Sequence, residues 1–122
     1  VVDHYSYEGK DIPGLTLIFK AGKLVSMSAK SGIEPFKAYY DAAAAGKEEF
    51  SSVDIGINPN VKMIPGTNFV SWVTTGMVTV SQGNNEWAGG DNSCTYGSSF
   101  FLPGSTLKID GKVLIENGVP KY

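Results

Sequence analysis

Apolar and polar residues alternate through most of this chain, and helical spacing interrupts the alternation only once. Residues 14–20 (GLTLIFK) and 24–29 (LVSMSA) read as two strands joined across Ala21 and Gly22, where glycine supplies the positive φ that a tight hairpin turn requires. From Ser31 the period lengthens. Phe36, Tyr39, Tyr40 and Ala43 recur at three-to-four spacing, Pro35 suits a first helical turn, and Glu34 suits the positive end of a helix dipole. The spacing predicts a helix over about residues 34–45, ended by Gly46. Residues 50–57 (FSSVDIGI) form the next expected strand, closed by Asn58-Pro59, because the residue before a proline is pushed out of the helical region. Residues 68–75 (NFVSWVTT) fit either a short helix or a strand, and residues 76–81 (GMVTVS) are strand-like. Residues 84–92 are polar and glycine-rich, a loop that belongs at the surface or against a partner. Residues 106–110 and 112–116 pair around Asp110-Gly111. Short strands in hairpins with one helix indicate an α+β fold with a small mixed or mainly antiparallel sheet. No internal repeat or long linker divides the chain, so residues 1–122 are expected to form a single domain.

Charge and composition narrow the classes of partner. Ten basic and twelve acidic side chains give a net charge of -2, and every basic residue is a lysine. Without arginine the chain lacks the bidentate reader of phosphate and guanine, and its lysines are scattered from Lys10 to Lys121, so nucleic acid is not an expected partner. No run approaches the roughly 20 apolar residues that span a bilayer, and the start VVDHYSYEGK lacks the charged and apolar regions of a signal peptide. A soluble chain without a membrane partner is expected, in the cytoplasm rather than secreted. The lone Cys94 cannot form an internal disulfide. The start at Val1 without a methionine points to a fragment of a longer protein.

Four segments in order carry a family resemblance. Residues 14–29, with Leu15, Leu17, Phe19, Gly22, Lys23, Val25 and Ala29, are followed by Val53-Asp54-Ile55-Gly56-Ile57-Asn58-Pro59. The segment GMVTVSQGNNEWAGGDNS at residues 76–93 comes next, and Ile109-Asp110-Gly111-Lys112 comes last. Together they resemble the C-terminal domain of the metallo-aminopeptidases of the aminopeptidase T and aminopeptidase S class. Those enzymes carry a Gly-Thr-Val-His strand, a Gly-Gly-x-Asn-x-Ser loop and a His-x-Asp pair. They hold two metal ions, zinc, cobalt or manganese, and hydrolyse N-terminal peptide bonds with a metal-bound water, which needs anionic and imidazole ligands. On this resemblance the family's ligand positions fall at Ser52, at Thr79 and near Cys94 and Tyr96, and the family's Asp-Glu pair falls on the stretch Phe69-Val70-Ser71-Trp72-Val73. Hydroxyls replace ligands, so no cofactor, no metal site and no catalytic residue is expected for this chain alone. The family's N-terminal half, which supplies the rest of the cleft and a further ligand, becomes the expected partner, along with a possible homo-oligomer.

The remaining candidates are weaker. His4, the single histidine, reads as a surface side chain. Asp54, Asp91 and Cys94 could be imagined as a replacement metal set, yet their spacing matches no ligand pattern, and Cys94 reads as a buried thiol. Ser51-Ser52 and Ser98-Ser99 have no histidine close in sequence to activate them. Trp72, Phe100 and Phe101 read as core, whereas Trp87, set among polar residues and glycines, reads as an exposed contact. Glu86, Trp87, Asp91 and Asn92 are therefore the expected binding residues. The expectation is a non-catalytic structural or binding domain of a leucyl aminopeptidase-like protein. One alternative is part of an active metal-dependent aminopeptidase acting on peptides, with ligands from the missing half. Another is an unrelated small β-rich interaction domain.

Overall fold

Four two-residue turns organise the hairpins. In the computed structural model, which describes residues 1–64 and 70–122, Glu8-Gly9, Ala21-Gly22, Asp110-Gly111 and Asn117-Gly118 place both residues at positive φ. That geometry matches the twist of paired strands, and glycine takes the second position without a Cβ penalty. The strands are β1 (Val2–Tyr7), β2 (Lys10–Lys20), β3 (Lys23–Ser28), β4 (Phe50–Ile55), β5 (Val78–Gly83), β6 (Gly97–Leu102), β7 (Leu107–Ile109), β8 (Lys112–Glu116) and β9 (Val119–Pro120); the α-helix is α1 (Glu34–Ala42). They form three small antiparallel sheets in the orders β1-β2-β3, β4-β5-β6 and β7-β8-β9, an α+β fold. Among the described residues no helix is long and apolar enough to cross a membrane.

The chain divides into two compact units, Val1–Ser52 with Ser81–Phe100, and Val53–Val80 with Phe101–Tyr122. In the first unit β2 serves two partners in turn. Its first half pairs with β1, as in Tyr5↔Ile12 and Tyr7↔Lys10, and its second half with β3, as in Thr16↔Ser28 and Lys20↔Lys23. The buried apolar and aromatic side chains of this unit are Val2, Ile12, Leu15, Phe36, Tyr96 and Phe100, with Ser81 and Gln82 buried among the polar ones. Phe36, the only buried residue of α1, meets Tyr5 at 5.2 Å, Tyr7 at 5.4 Å and Phe100 at 6.0 Å between ring centroids. Edge-to-face packing of this kind adds to the area that the rings bury. In the second unit Met77, Val78 and Ile115 are buried, and Gly56 and Gly76 are bound to each other by a 2.8 Å backbone hydrogen bond.

Five sequence expectations shift. The helix ends at Ala42 rather than near residue 45, and Ala43 is extended (φ -74°, ψ 156°). Ala44 and Ala45 are exposed, so helical propensity there gains no packing, and the Lys47 ammonium caps the shortened end by donating to the Asp41 and Ala43 carbonyls at 2.8 and 3.0 Å. Residues 70–75 form an irregular stretch with turns at Trp72, Val73 and Thr75 and an isolated bridge from Thr74 to Asn58, not a helix or a strand; Asn68 and Phe69 of the same stretch lie outside the described residues. Trp72 is consequently not core: it is 57% exposed and stacks on Phe101 at 6.3 Å. Phe100 is buried as expected, Phe101 is half-buried, and Cys94 is half-buried. The N-terminal strand β1 has a readable signal, Tyr5 and Tyr7 at period two before Glu8-Gly9, as does β9 after Asn117-Gly118.

Candidate functional site

The loop that follows β5 is built by its asparagines. Gly83 ends the strand at φ 96°, packed so closely on the Tyr96 carbonyl that a side chain would collide with it. Asn84 N–H then donates to the Tyr96 carbonyl at 2.8 Å. Asn85 closes the loop on itself. Its N–H donates to the Asn92 carbonyl at 3.1 Å, its Oδ1 accepts from the Asn92 N–H at 2.8 Å, and its carbonyl accepts from the Gly90 N–H at 3.0 Å. A single 3-10 turn, Glu86–Ala88, occupies the tip and ends at Gly89 in the left-handed region.

These contacts separate the four expected binding residues. Glu86, Trp87 and Asp91 are exposed, while Asn92 is half-buried and turned inward. The Trp87 ring is 65% exposed, and its indole N–H donates to the Asn84 carbonyl at 3.2 Å, which orients the ring without burying it. The Asn92 amide donates to the Gly46 carbonyl at 2.8 Å and the Gly83 carbonyl at 2.9 Å. Both of its N–H donors are thereby spent inside the first unit, so Asn92 clamps the loop to the segment after α1. Gly46, at φ 92°, leaves the space that this clamp fills.

Ser52, Thr79, Cys94 and Tyr96, singled out by the sequence resemblance, carry hydroxyl, thiol and phenol groups. Thr79 on β5 is 0% exposed, and among the described residues its hydroxyl has no hydrogen-bond partner. Ser52 on β4 is half-buried. Cys94 Sγ donates to the Tyr96 carbonyl at 3.3 Å. Burial pushes the Tyr96 phenol up to about 12, with Ser98 beside it partly offsetting the effect and Tyr5, Tyr39 and Tyr40 adding to it. It is therefore a neutral phenol throughout the physiological range. Tyr40 is raised as well, chiefly by burial and then by Glu48 and Asp41. Among the described residues no group of three or more histidine, cysteine, aspartate or glutamate side chains is placed to hold a metal ion. Asp91 is exposed, and His4 lies on the surface against Asp11 at 3.1 Å.

Comparison with known proteins adds no relative. No family model, curated protein or solved structure matches this chain.

Sequence reading missed the aromatic cluster of Tyr5, Tyr7, Tyr39, Tyr40 and Tyr96, which joins β1, α1 and the segment just before β6, with Tyr5 linked through Phe36. Tyr39 contacts Tyr7 at 5.7 Å and Tyr96 at 5.5 Å, so tyrosines far apart in sequence converge around one helix. Only the high tyrosine content of the first forty residues hints at it.

Proposed function

We propose that this chain is a non-catalytic structural or binding module, similar to the C-terminal part of a leucyl aminopeptidase-like protein of the aminopeptidase T type. The observation that carries the proposal is the chemistry at the positions singled out by the sequence resemblance. A zinc, cobalt or manganese site needs carboxylates, imidazoles or thiolates with free lone pairs. Here a buried threonine hydroxyl, a serine, a thiol turned onto a backbone carbonyl and a neutral phenol stand instead. This donor set does not fit a divalent ion, and no hydrolytic step is routed through one. On this reading the chain acts in the cytoplasm beside an N-terminal half or a second copy, and the loop tip with Glu86, Trp87 and Asp91 is its contact surface.

A direct assay separates this reading from an active peptidase. Leucyl and alanyl chromogenic amides, offered with zinc, cobalt or manganese in turn, should show no turnover above buffer; metal-dependent release of the chromophore would overturn the proposal. The contact role of the loop has its own test. Trp87→Ala should cost less than about 1 kcal/mol of stability, because an exposed ring loses little packing. Loss of about 3 to 5 kcal/mol in chemical denaturation, the scale of a deleted core aromatic, would make the ring structural instead.

A further inference from the structure

Away from the loop, one edge of the first sheet is left half-paired. β3 pairs with β2 on one side, and its first residues are already covered on the other: Leu24 N–H donates to the Glu48 carbonyl and Phe50 N–H donates to the Gly22 carbonyl, both at 2.7 Å. Lys23↔Glu49 is the bridge between them. The chain thus begins a further antiparallel strand along this edge and then leaves it at Gly46, whose positive φ turns the backbone away toward Asn92.

Beyond Leu24 the edge is open. The register shifts at a bulge between the pairs Phe19↔Leu24 and Ile18↔Ser26, then continues to Thr16↔Ser28. Alternation along an antiparallel ladder points the backbone of Ser26 and Ser28 toward β2 and that of Met27 outward. Among the described residues the Met27 N–H and carbonyl have no hydrogen-bond partner on this side. A groove of about 170 Å³ lies here, lined by Leu24, Val25, Ser26 and Met27 of β3 and by Lys37 and Tyr40 of α1. Side chains of a strand alternate between faces, so four consecutive residues line one groove when it follows the strand's edge. An exposed sheet edge is the place where an extended peptide adds as a strand, with neighbouring pockets taking its alternate side chains.

Charge selects the occupant. Among the described residues Lys37 is the only charged one lining the groove, and its partner Asp41 is on the same helix, 2.5 Å away, with both side chains more than half exposed. So exposed a pair is weak, and the ammonium can share its donors with an incoming carboxylate. We propose that the open edge of β3 receives an extended peptide segment of a partner protein, bonded to the Met27 backbone and carrying an acidic side chain that meets Lys37. The segment would prolong the short strand begun by residues 48–50, and its apolar side chains would lie against Met27 and Tyr40. This docking edge is independent of Ser52, Thr79, Cys94 and Tyr96 and of the loop at residues 84–92.

The test starts from a displayed library of random seven-residue peptides selected on the full chain. The expected winners alternate β-branched or apolar residues with one acidic position. The tightest winner is then synthesised and titrated into isotope-labelled protein. Amide shifts should concentrate at residues 25–29 and 37–40. The same peptide N-methylated at the backbone nitrogen facing Met27 should bind at least about tenfold more weakly, as expected for a lost buried hydrogen bond. Lys37→Glu should weaken binding of the acidic peptide about threefold, the scale of an exposed ion pair, and favour a lysine analogue instead. Selection of no peptide above background, shifts elsewhere, indifference to N-methylation, or a second copy of the chain occupying the edge would each overturn the proposal.

Discussion

Replacing Phe36 with alanine is expected to remove about 3 to 5 kcal/mol of stability, the range for a fully buried aromatic. Its ring is 0% exposed and lies among Tyr5, Tyr7 and Phe100, so the cavity would open where α1 meets β1 and β6. A loss of this size is a large fraction of the roughly 5 to 15 kcal/mol that holds a typical domain folded. With a urea slope of about 1 to 3 kcal/mol per molar for small proteins, the midpoint should fall by more than about 1 M. Phe36→Leu keeps most of the volume and should lose much less. Equal midpoints for the alanine variant and the parent would mean that α1 does not anchor the first unit through this ring.

Asn92→Ala is the second large effect, expected at about 1 to 3 kcal/mol, because truncation removes two side-chain hydrogen bonds, one to the Gly83 carbonyl and one to the Gly46 carbonyl, which among the described residues keeps only the Glu49 N–H at 3.2 Å. Those carbonyls belong to Gly46 and Gly83, residues 37 positions apart in sequence that the one amide holds together. Asn92→Asp is a sharper probe. It keeps the shape but turns both donors into acceptors facing carbonyl oxygens, so it should be at least as damaging as alanine. If both variants keep the parent's thermal midpoint and lose only a binding activity, Asn92 is a ligand-contacting residue and not a clamp.

The contrast between Asn92 and Trp87 marks how far the sequence can be read. Local signals were legible: the Ala21-Gly22 and Asp110-Gly111 turns, the start of α1 at Glu34 and Pro35, and the strand at Phe50 all follow from short-range chemistry. The exposure of Trp87 followed from its polar, glycine-rich surroundings. Asn92 looked like its neighbours on the loop, because an asparagine amide reads the same whether it faces solvent or a distant carbonyl. Only the folded chain brings Gly46 to it. The end of α1 was hidden for a related reason, since four alanines favour helix locally while Lys47 and Gly46 act through geometry that propensity does not encode. Trp72 lies outside the core because its stretch forms neither the helix nor the strand that its sequence fits, leaving the indole stacked on Phe101 at the surface.

The measurement that bears most directly on a non-catalytic role is a calorimetric titration of the full chain with zinc, cobalt and manganese. With a buried hydroxyl at Thr79, a thiol donating to a carbonyl at Cys94 and a phenol at Tyr96 held neutral by burial, no ion should bind with a Kd at or below about micromolar, the affinity equivalent of about 8 kcal/mol. One or two ions bound per chain at that affinity would contradict it.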